Sequence, residues 1–296
     1  MSLWIGAVTL GLIYAFLAWA VFLSLRVLRF ADISVDGTLV TGAGVTCMLI
    51  IAKVHPALAT AAACGAGMLG GALTGVIHTK LKVNDLLAGI LVMTAAYSIN
   101  LRIMGGSNVA LLDQPTLLSL PPSSGQSVPD QWEPLIALAA LAIIFRLLVA
   151  CFLRTDLGMA LRATGDNEAM ITAQGVNTNS AKILMLALSN GLAALSGALL
   201  AQYQGFTDVS MGIGSLVAGI ASVILGETLL GSRSIGWLVT AALLGSLGFR
   251  LIVALAMKVG IDPNDLKLFT AAFVLIALAV PGVRAKLIRK PAGGVA

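Results

Sequence analysis

The chain has 296 residues, 58% of them apolar, 32 of them glycine and only 10% charged, where an ordinary soluble domain carries about 25% charged residues. That composition excludes a water-surrounded globule and leaves no length for a sizeable soluble domain. The formal charge of +5 comes from basic residues scattered at the ends of apolar runs, not from a stripe, so no nucleic acid partner is expected.

Nine apolar runs follow in chain order: Leu3 to Leu25, Thr38 to Ala52, Ala57 to Ile77, Leu86 to Met104, Leu135 to Leu153, Ile183 to Tyr203, Leu216 to Leu230, Ile235 to Met257 and Leu268 to Val280. A helix crosses a bilayer with roughly 20 residues. The runs therefore predict an all-α polytopic membrane helix bundle of about nine (8–10) transmembrane helices in the lipid bilayer, a single transmembrane domain over 1–296. The opening Met1 to Gly6 has neither the basic leader nor the cleavage site of a signal peptide, so the first run is expected to stay in the membrane.

Lysine and arginine resist translocation and set orientation. Arg26 and Arg29, Lys80 and Lys82, then Arg154, Arg162 and Lys182, then Arg233, and finally Arg284, Lys286, Arg289 and Lys290 alternate onto one side, while Lys53 falls on the other. This predicts N-out, C-in. Trp4, Trp132 and Trp237 stand at span starts, where interfacial anchors belong. The long outer connection from Gly105 to Glu133 reads either as an exposed loop or as a short surface helix.

Asn84-Asp85-Leu86 opens the fourth span from inside and Asn264-Asp265-Leu266 opens the ninth from outside. Gly37, Gly42 and Gly44 in span two and Gly212, Gly214 and Gly219 in span seven precede these motifs at similar distances. Two units of opposite orientation would be an inverted repeat, which puts a transport path at the interface between repeats. Capping by Asn and Asp is the other reading of the paired motifs. Close glycines and alanines such as Gly65-Ala66-Gly67 let helix backbones approach where no hydrophobic effect drives association.

Chemistry is sparse. The chain has no phosphate-loop motif, no H-E-x-x-H and no G-x-S-x-G. Cys47, Cys64 and Cys151 lie in apolar runs without a C-x-x-C pair, so neither a disulfide framework nor a zinc site is expected. No catalytic residue, metal site or cofactor is assigned to this chain.

The polar candidates inside or beside spans are Asp32, Ser34, Asp36, Asn100, Asn190 and Glu227, with Ser98, Ser189 and Arg250 nearby in type. Ionisable groups in lipid are costly and usually face protein or water. Asp32 and Asp36 face an aqueous vestibule, help bind an ammonium group, or cap span two. Glu227 reads either as an ion-pair partner of Arg233 or Arg250, or as a gate or solute contact. Asn100 and Asn190 read as interhelical hydrogen-bonding groups or as path residues.

The most informative stretch lies in the inner connection 154–182. Asp166 is positioned to cap a short helix and Gly175 to end it in the left-handed conformation, with Asn167, Glu168, Ala169, Met170 and Ile171 between them. A helix this short is unstable alone and needs a partner, either the bundle or another protein.

The run Leu157-Gly158 to Arg162-Ala163, then Gly165-Asp166-Asn167-Glu168, Gly175-Val176-Asn177 and the glycine-alanine span after Lys182 resembles the permease subunits of branched-chain amino-acid-type ABC importers. That superfamily also holds ribose-type sugar permeases. The similarity extends to Gly226-Glu227 and Asn264-Asp265-Leu266-Lys267 and is nearest to a subgroup paired with binding proteins for tryptophan, tyrosine or similar amino acids. The resemblance implies that Gly165 to Gly175 is a coupling helix docking in a groove of an ABC ATP-binding subunit. It further implies a second permease subunit, an extracytoplasmic solute-binding protein, a bacterial inner-membrane location, and ATP and Mg held by the partner subunit. One departure is that Phe30-Ala31-Asp32-Ile33-Ser34-Val35-Asp36-Gly37-Thr38 stands where better-known amino-acid members often carry an Asn-Phe-Ala-His-Gly-like sequence. The expected function is a transport subunit, not an enzyme, moving a small polar solute, an amino acid ahead of a sugar or nucleoside. Its rivals are an ion-coupled secondary transporter and, on the acidic pair alone, a membrane enzyme or structural subunit.

Overall fold

A computed structural model describes residues 2–111, 114–118, 132–231, 234–262, 265–266 and 268–276. Helix α1 (Ser2–Val21) runs into a π-helical turn, Phe22–Val27, and is followed by α2 (Ser34–Ile51), α3 (Pro56–Lys80) and α4 (Asp85–Met104). Strand β1 (Asn108–Ala110) precedes α5 (Glu133–Phe152), the short α6 (Asp156–Asp166) and α7 (Glu168–Ala173), and the long α8 (Thr178–Gln204). Strand β2 (Phe206–Asp208), α9 (Ser215–Leu230) and α10 (Ile235–Lys258) complete the named elements, and residues 268–276 are again helical.

The ends of these helices follow from local chemistry. His55 accepts from the Ala57 N–H at the start of α3 beside Pro56, Asn84 accepts from the Leu86 N–H at α4, and Asn177 accepts from the Ser180 N–H at α8. Each satisfies one of the donors a helix start leaves open. Gly105 and Gly205, at φ 69° and 76°, end α4 and α8 in the left-handed conformation, which an L side chain adopts only with strain.

Seven helices among the described residues are long and apolar enough to cross a membrane: α1 with its π turn, α2, α3, α4, α5, α8 and α10. Helix α9 has 16 residues, about 24 Å of rise against about 30 Å of hydrocarbon. The expected ninth run is helical over 268–276, and its last four residues lie outside the described ones, as do Arg284, Lys286, Arg289 and Lys290. Among the described residues the bundle is a polytopic all-α membrane fold with seven helices of spanning length and the shorter α9, where nine runs were marked along the chain.

One feature departs from pure helix. β1 pairs antiparallel with β2, Val109 opposite Thr207, so the connection after α4 begins as a strand and not as a free loop or surface helix. The Leu117 N–H donates to Gln202 Oε1 at 2.8 Å, holding the same connection to the end of α8. Residues 119–131 lie outside the described ones.

At the centre α1 and α8 run antiparallel. The Ser189 hydroxyl donates to the Ala20 carbonyl at 2.8 Å and the Ser196 hydroxyl to the Ile13 carbonyl at 2.9 Å; seven residues forward on one helix are seven backward on the other. Helix α8 packs chiefly on α2 and α3, whereas α1 packs on α9 and α10. Glycine sets the spacing: a Cβ on Gly42 would lie 2.0 Å from the Ala194 carbonyl oxygen, and one on Gly197 would lie 1.9 Å from that of Leu39. Helices in lipid gain association energy from such close backbone packing.

Candidate functional site

Helix α2 does not start at the edge of the bundle. After the π turn the chain folds back through residues 28–33, and α2 begins beside Asn190, in the middle of α8. The four N–H groups that open any helix need acceptors, and here no bulk water supplies them. Asp32, 2% exposed, fills that need: its Oδ1 accepts from the Ser34 N–H at 2.9 Å and from the Ser34 hydroxyl. Its Oδ2 accepts from the Asn190 side-chain amide at 2.6 Å.

Asn190 ties α8 to α2 and to the connection before it. Its Nδ2 also donates to the Leu186 carbonyl, and its Oδ1 accepts from the Thr38 hydroxyl at 2.6 Å. The Thr74 hydroxyl of α3 donates to Ser34 Oγ at 3.0 Å. The network thus closes with Asp32, Ser34, Thr38, Thr74 and Asn190 all buried.

Asp36, one turn into α2, does something different. Its carboxylate accepts from the Gly214 N–H at 3.1 Å, the Ser215 hydroxyl at 2.7 Å and the Leu216 N–H at 2.7 Å. These are the opening donors of α9, so a side chain of one helix caps another. Gly214 at φ 86° turns the chain into α9, and Gly212 lies so close that a Cβ there would come within 2.1 Å of the Asp36 carbonyl oxygen. The first turn of α2 and the start of α9, each the positive end of a dipole, therefore meet inside the bundle, joined by the Asp36 carboxylate. Of the acidic pair, Asp32 accepts from the start of α2, the expected span two, while Asp36 caps α9 instead.

Beside this junction is a cavity of about 30 Å³ lined by Asp36, Gly37, Tyr97, Asn100 and Gly212 among others, room for about one water molecule. The Asn100 Nδ2 donates to the Gly37 carbonyl at 3.2 Å, which leaves its buried Oδ1 without a donor. Tyr97, 48% exposed, borders the same cavity.

Glu227 is not part of the junction. It lies near the far end of α9 and pairs with Arg26 at 2.8 Å, a partner the sequence did not suggest. Arg250 lies instead over the Tyr14 ring, 3.5 Å from its centroid, and Arg233 is outside the described residues.

The second candidate region is the face that carries α6 and α7. Asn167, not Asp166, caps α7, accepting from the Met170 N–H at 3.0 Å. Asp166 ends α6 and pairs with Arg29 at 2.8 Å. Gly175 at φ 88° follows α7 in the expected left-handed conformation. Ile171 is buried while Ala169, Met170, Thr172 and Ala173 are exposed, so the two neighbouring apolar side chains face opposite ways. Glu168 pairs with Lys182 of α8 at 2.8 Å, and that ammonium group holds its carboxyl below the ordinary value of 4.5. Gly165 sits on the end of α1: a Cβ there would lie 2.0 Å from the Val27 carbonyl oxygen.

Sequence reasoning missed Thr38, Thr74, Arg26, Arg29 and the Gly212–Leu216 turn. Ser34 and Thr38, four residues apart on one helix face, were a usable signal; the cross-helix ion pairs left none. Among the described residues no group of acidic, histidine and cysteine side chains could hold a metal ion.

Comparison with known proteins places residues 3–279 in a match to the family described as branched-chain amino acid transport system, permease component. The tyrosine transport system permease protein of Clostridioides difficile is 40% identical over 97% of this chain and 94% of its own length. An uncharacterized protein of Rickettsia prowazekii is 34% identical over 94% and 98%. The ribose import permease protein of Escherichia coli is 29% identical over 73% and 67%. No solved structure matches.

Proposed function

This chain belongs to the permease-component family of branched-chain amino acid transport systems, and from that premise we propose that it forms the membrane path of an ATP-driven importer for a small polar solute. An amino acid is the preferred solute, supported by the likeness to the tyrosine permease over nearly the whole chain. The observation that carries the reading is the meeting of α2 and α9 inside the bundle, held by Asp36. Broken helices whose N-termini point inward line transport sites in other membrane proteins, because such ends stabilise negative charge without a formal cation.

In this reading Asp32, Ser34 and Asn190 hold the α2 end rigid. Asp36 and Asn100 border the path, and Glu227 with Arg26 latches the inner end of α9. Helix α7 docks, through Met170 and its exposed neighbours, onto an ABC ATP-binding subunit that binds ATP and Mg and performs the hydrolysis. A second permease copy and an extracytoplasmic solute-binding protein complete the assembly, with the α6–α7 face in the cytoplasm, N-out and C-in.

The test is reconstitution in proteoliposomes with the ATPase subunits and binding protein. ATP-dependent accumulation of a labelled amino acid is expected, abolished when the ATPase is omitted. Uptake driven by a proton or sodium gradient without ATPase subunits would establish the ion-coupled rival instead, and ATP-dependent uptake of ribose but no amino acid would move the solute to the sugars.

A further inference from the structure

On the face that carries α6 and α7, helices α5 and α10 part around a cavity of about 440 Å³. Arg146 enters it from α5 and Arg154 from the connection just after that helix, and Ser234, Gly236 and Trp237 from the start of α10. Among the described residues no acidic side chain lines it. Arg146 belongs to a membrane-spanning helix, where a charge needs a partner or water. Its Nε donates to Thr240 Oγ1 at 2.9 Å, and among the described residues neither arginine pairs with a carboxylate.

Arg154 is held where a cation is least at home. A Cβ on Gly236 would lie 2.9 Å from Arg154 Nη2, so the guanidinium rests on the first turn of α10. That is the positive end of the helix, which repels a cation and favours an anion. Two guanidinium groups and a helix start thus converge on one space, and Ser234 adds a hydroxyl. Trp237, exposed and with its Nε1 donating to the Leu230 carbonyl at 2.9 Å, sits as indole rings do at headgroup level. Leu147 lines the cavity and Ile143, one turn earlier on α5, is exposed like it, an apolar track leading away from the basic space.

We propose that this cavity binds the phosphate headgroup of an anionic membrane lipid. Arg146 and Arg154 bracket the phosphate, and the acyl chains lie along the exposed side of α5. Basic pockets between spanning helices recognise anionic headgroups by this combination of charge and apolar flank. The apolar track is what favours a lipid over a free anion. The inference needs only the membrane fold and is independent of the solute carried.

The test uses the intact complex extracted in neutral detergent and exchanged into nanodiscs of phosphatidylcholine with or without phosphatidylglycerol. Native mass spectrometry then reads the lipid retained. Phosphatidylglycerol is expected to be retained in preference. Arg154→Gln should lower that preference about five-fold, and Arg146→Gln by a similar factor. Arg154→Lys should keep most of it, and the double variant Lys80→Gln/Lys82→Gln, on the same face, should leave it unchanged. Equal retention of both lipids, or an equal fall in the lysine variant, overturns the proposal. Inorganic phosphate alone giving the same thermal protection as phosphatidylglycerol would make this a free-anion site and also overturn it. Arg154 is exposed, so its variants keep the test decisive even where Arg146→Gln fails to accumulate.

Discussion

Asn190 has a side chain too small to fill a core and too polar to sit in one alone, yet it is wholly buried. It is tolerated because every one of its hydrogen-bonding atoms has a partner, and removing a partner costs more than a hydrogen bond gains. Asn190→Ala leaves the Asp32 carboxylate one donor short and the Thr38 hydroxyl with only the Val35 carbonyl to accept from it, and is expected to destabilise the protein by about 2 kcal/mol. Asn190→Asp sets a second carboxylate against Asp32 and should be worse, because like charges at hydrogen-bond distance cannot both ionise cheaply. Thermal melts in detergent check the order; two wild-type melting curves would show the hub to be energetically idle. Glu168 gives a pH prediction at the same scale. Its carboxyl is depressed in the folded state by Lys182, so the ion pair contributes fully above the unfolded value and is lost as pH falls through the lower, folded one. The protection factor for hydrogen exchange across 168–175, corrected for the intrinsic rate at each pH, should be flat from about pH 5 to 8 and fall only under more acidic conditions, and Glu168→Gln should remove that acid limb.

Helices in this bundle are placed by what they cannot carry as much as by what they do. Gly197 and Gly65 have the same composition value and opposite consequences. A Cβ on Gly197 meets the Leu39 backbone, whereas one on Gly65 meets nothing within 4 Å. Gly197→Ala is expected to push α2 from α8 at a cost of about 1–3 kcal/mol, while Gly65→Ala is expected to be neutral or slightly stabilising; comparative melts of the two purified variants decide it. The same distinction governs α7. Met170 points outward and Ile171 inward. Met170→Glu should therefore abolish co-purification of the ATPase subunits with the fold intact, and Ile171→Ala should loosen α7 on the bundle. Equal ATPase capture by wild type and Met170→Glu would sink the docking role of α7.

Across the whole molecule, the two candidate regions are joined by a short physical route. The α6 end touches the π turn after α1 and the residues just beyond it, through Gly165 against Val27 and Asp166 against Arg29, and three residues after Arg29 Asp32 holds the start of α2. From there Asp36 holds α9, whose other end returns to α1 through Glu227 and Arg26. The Arg29–Asp166 pair is mostly exposed and contributes little to stability, so its removal isolates a coupling effect. Asp166→Ala is expected to leave the melting temperature and ATPase binding unchanged but to reduce solute uptake per ATP hydrolysed, and exchange of the pair, Arg29→Asp with Asp166→Arg, should restore part of it. An unchanged ratio would show that motion reaches α2 by another route. The membrane class, most spans, the short helix before Gly175 and the family resemblance were all readable from order along the chain. Hydrophobic runs, capping residues and glycine are local signals whose physics acts over a few residues. What no reading of the chain could supply was which distant groups meet: that Asp36 caps α9 and not its own helix, that Glu227 answers Arg26, that Asn167 takes the cap from Asp166, and that Arg146 of α5 and Arg154 just after it lie against the start of α10. Those pairings depend on how rigid helices cross, and crossing is fixed by close glycine contacts and buried hydrogen bonds between residues as far as 235 positions apart, a separation over which spacing along the chain carries no signal.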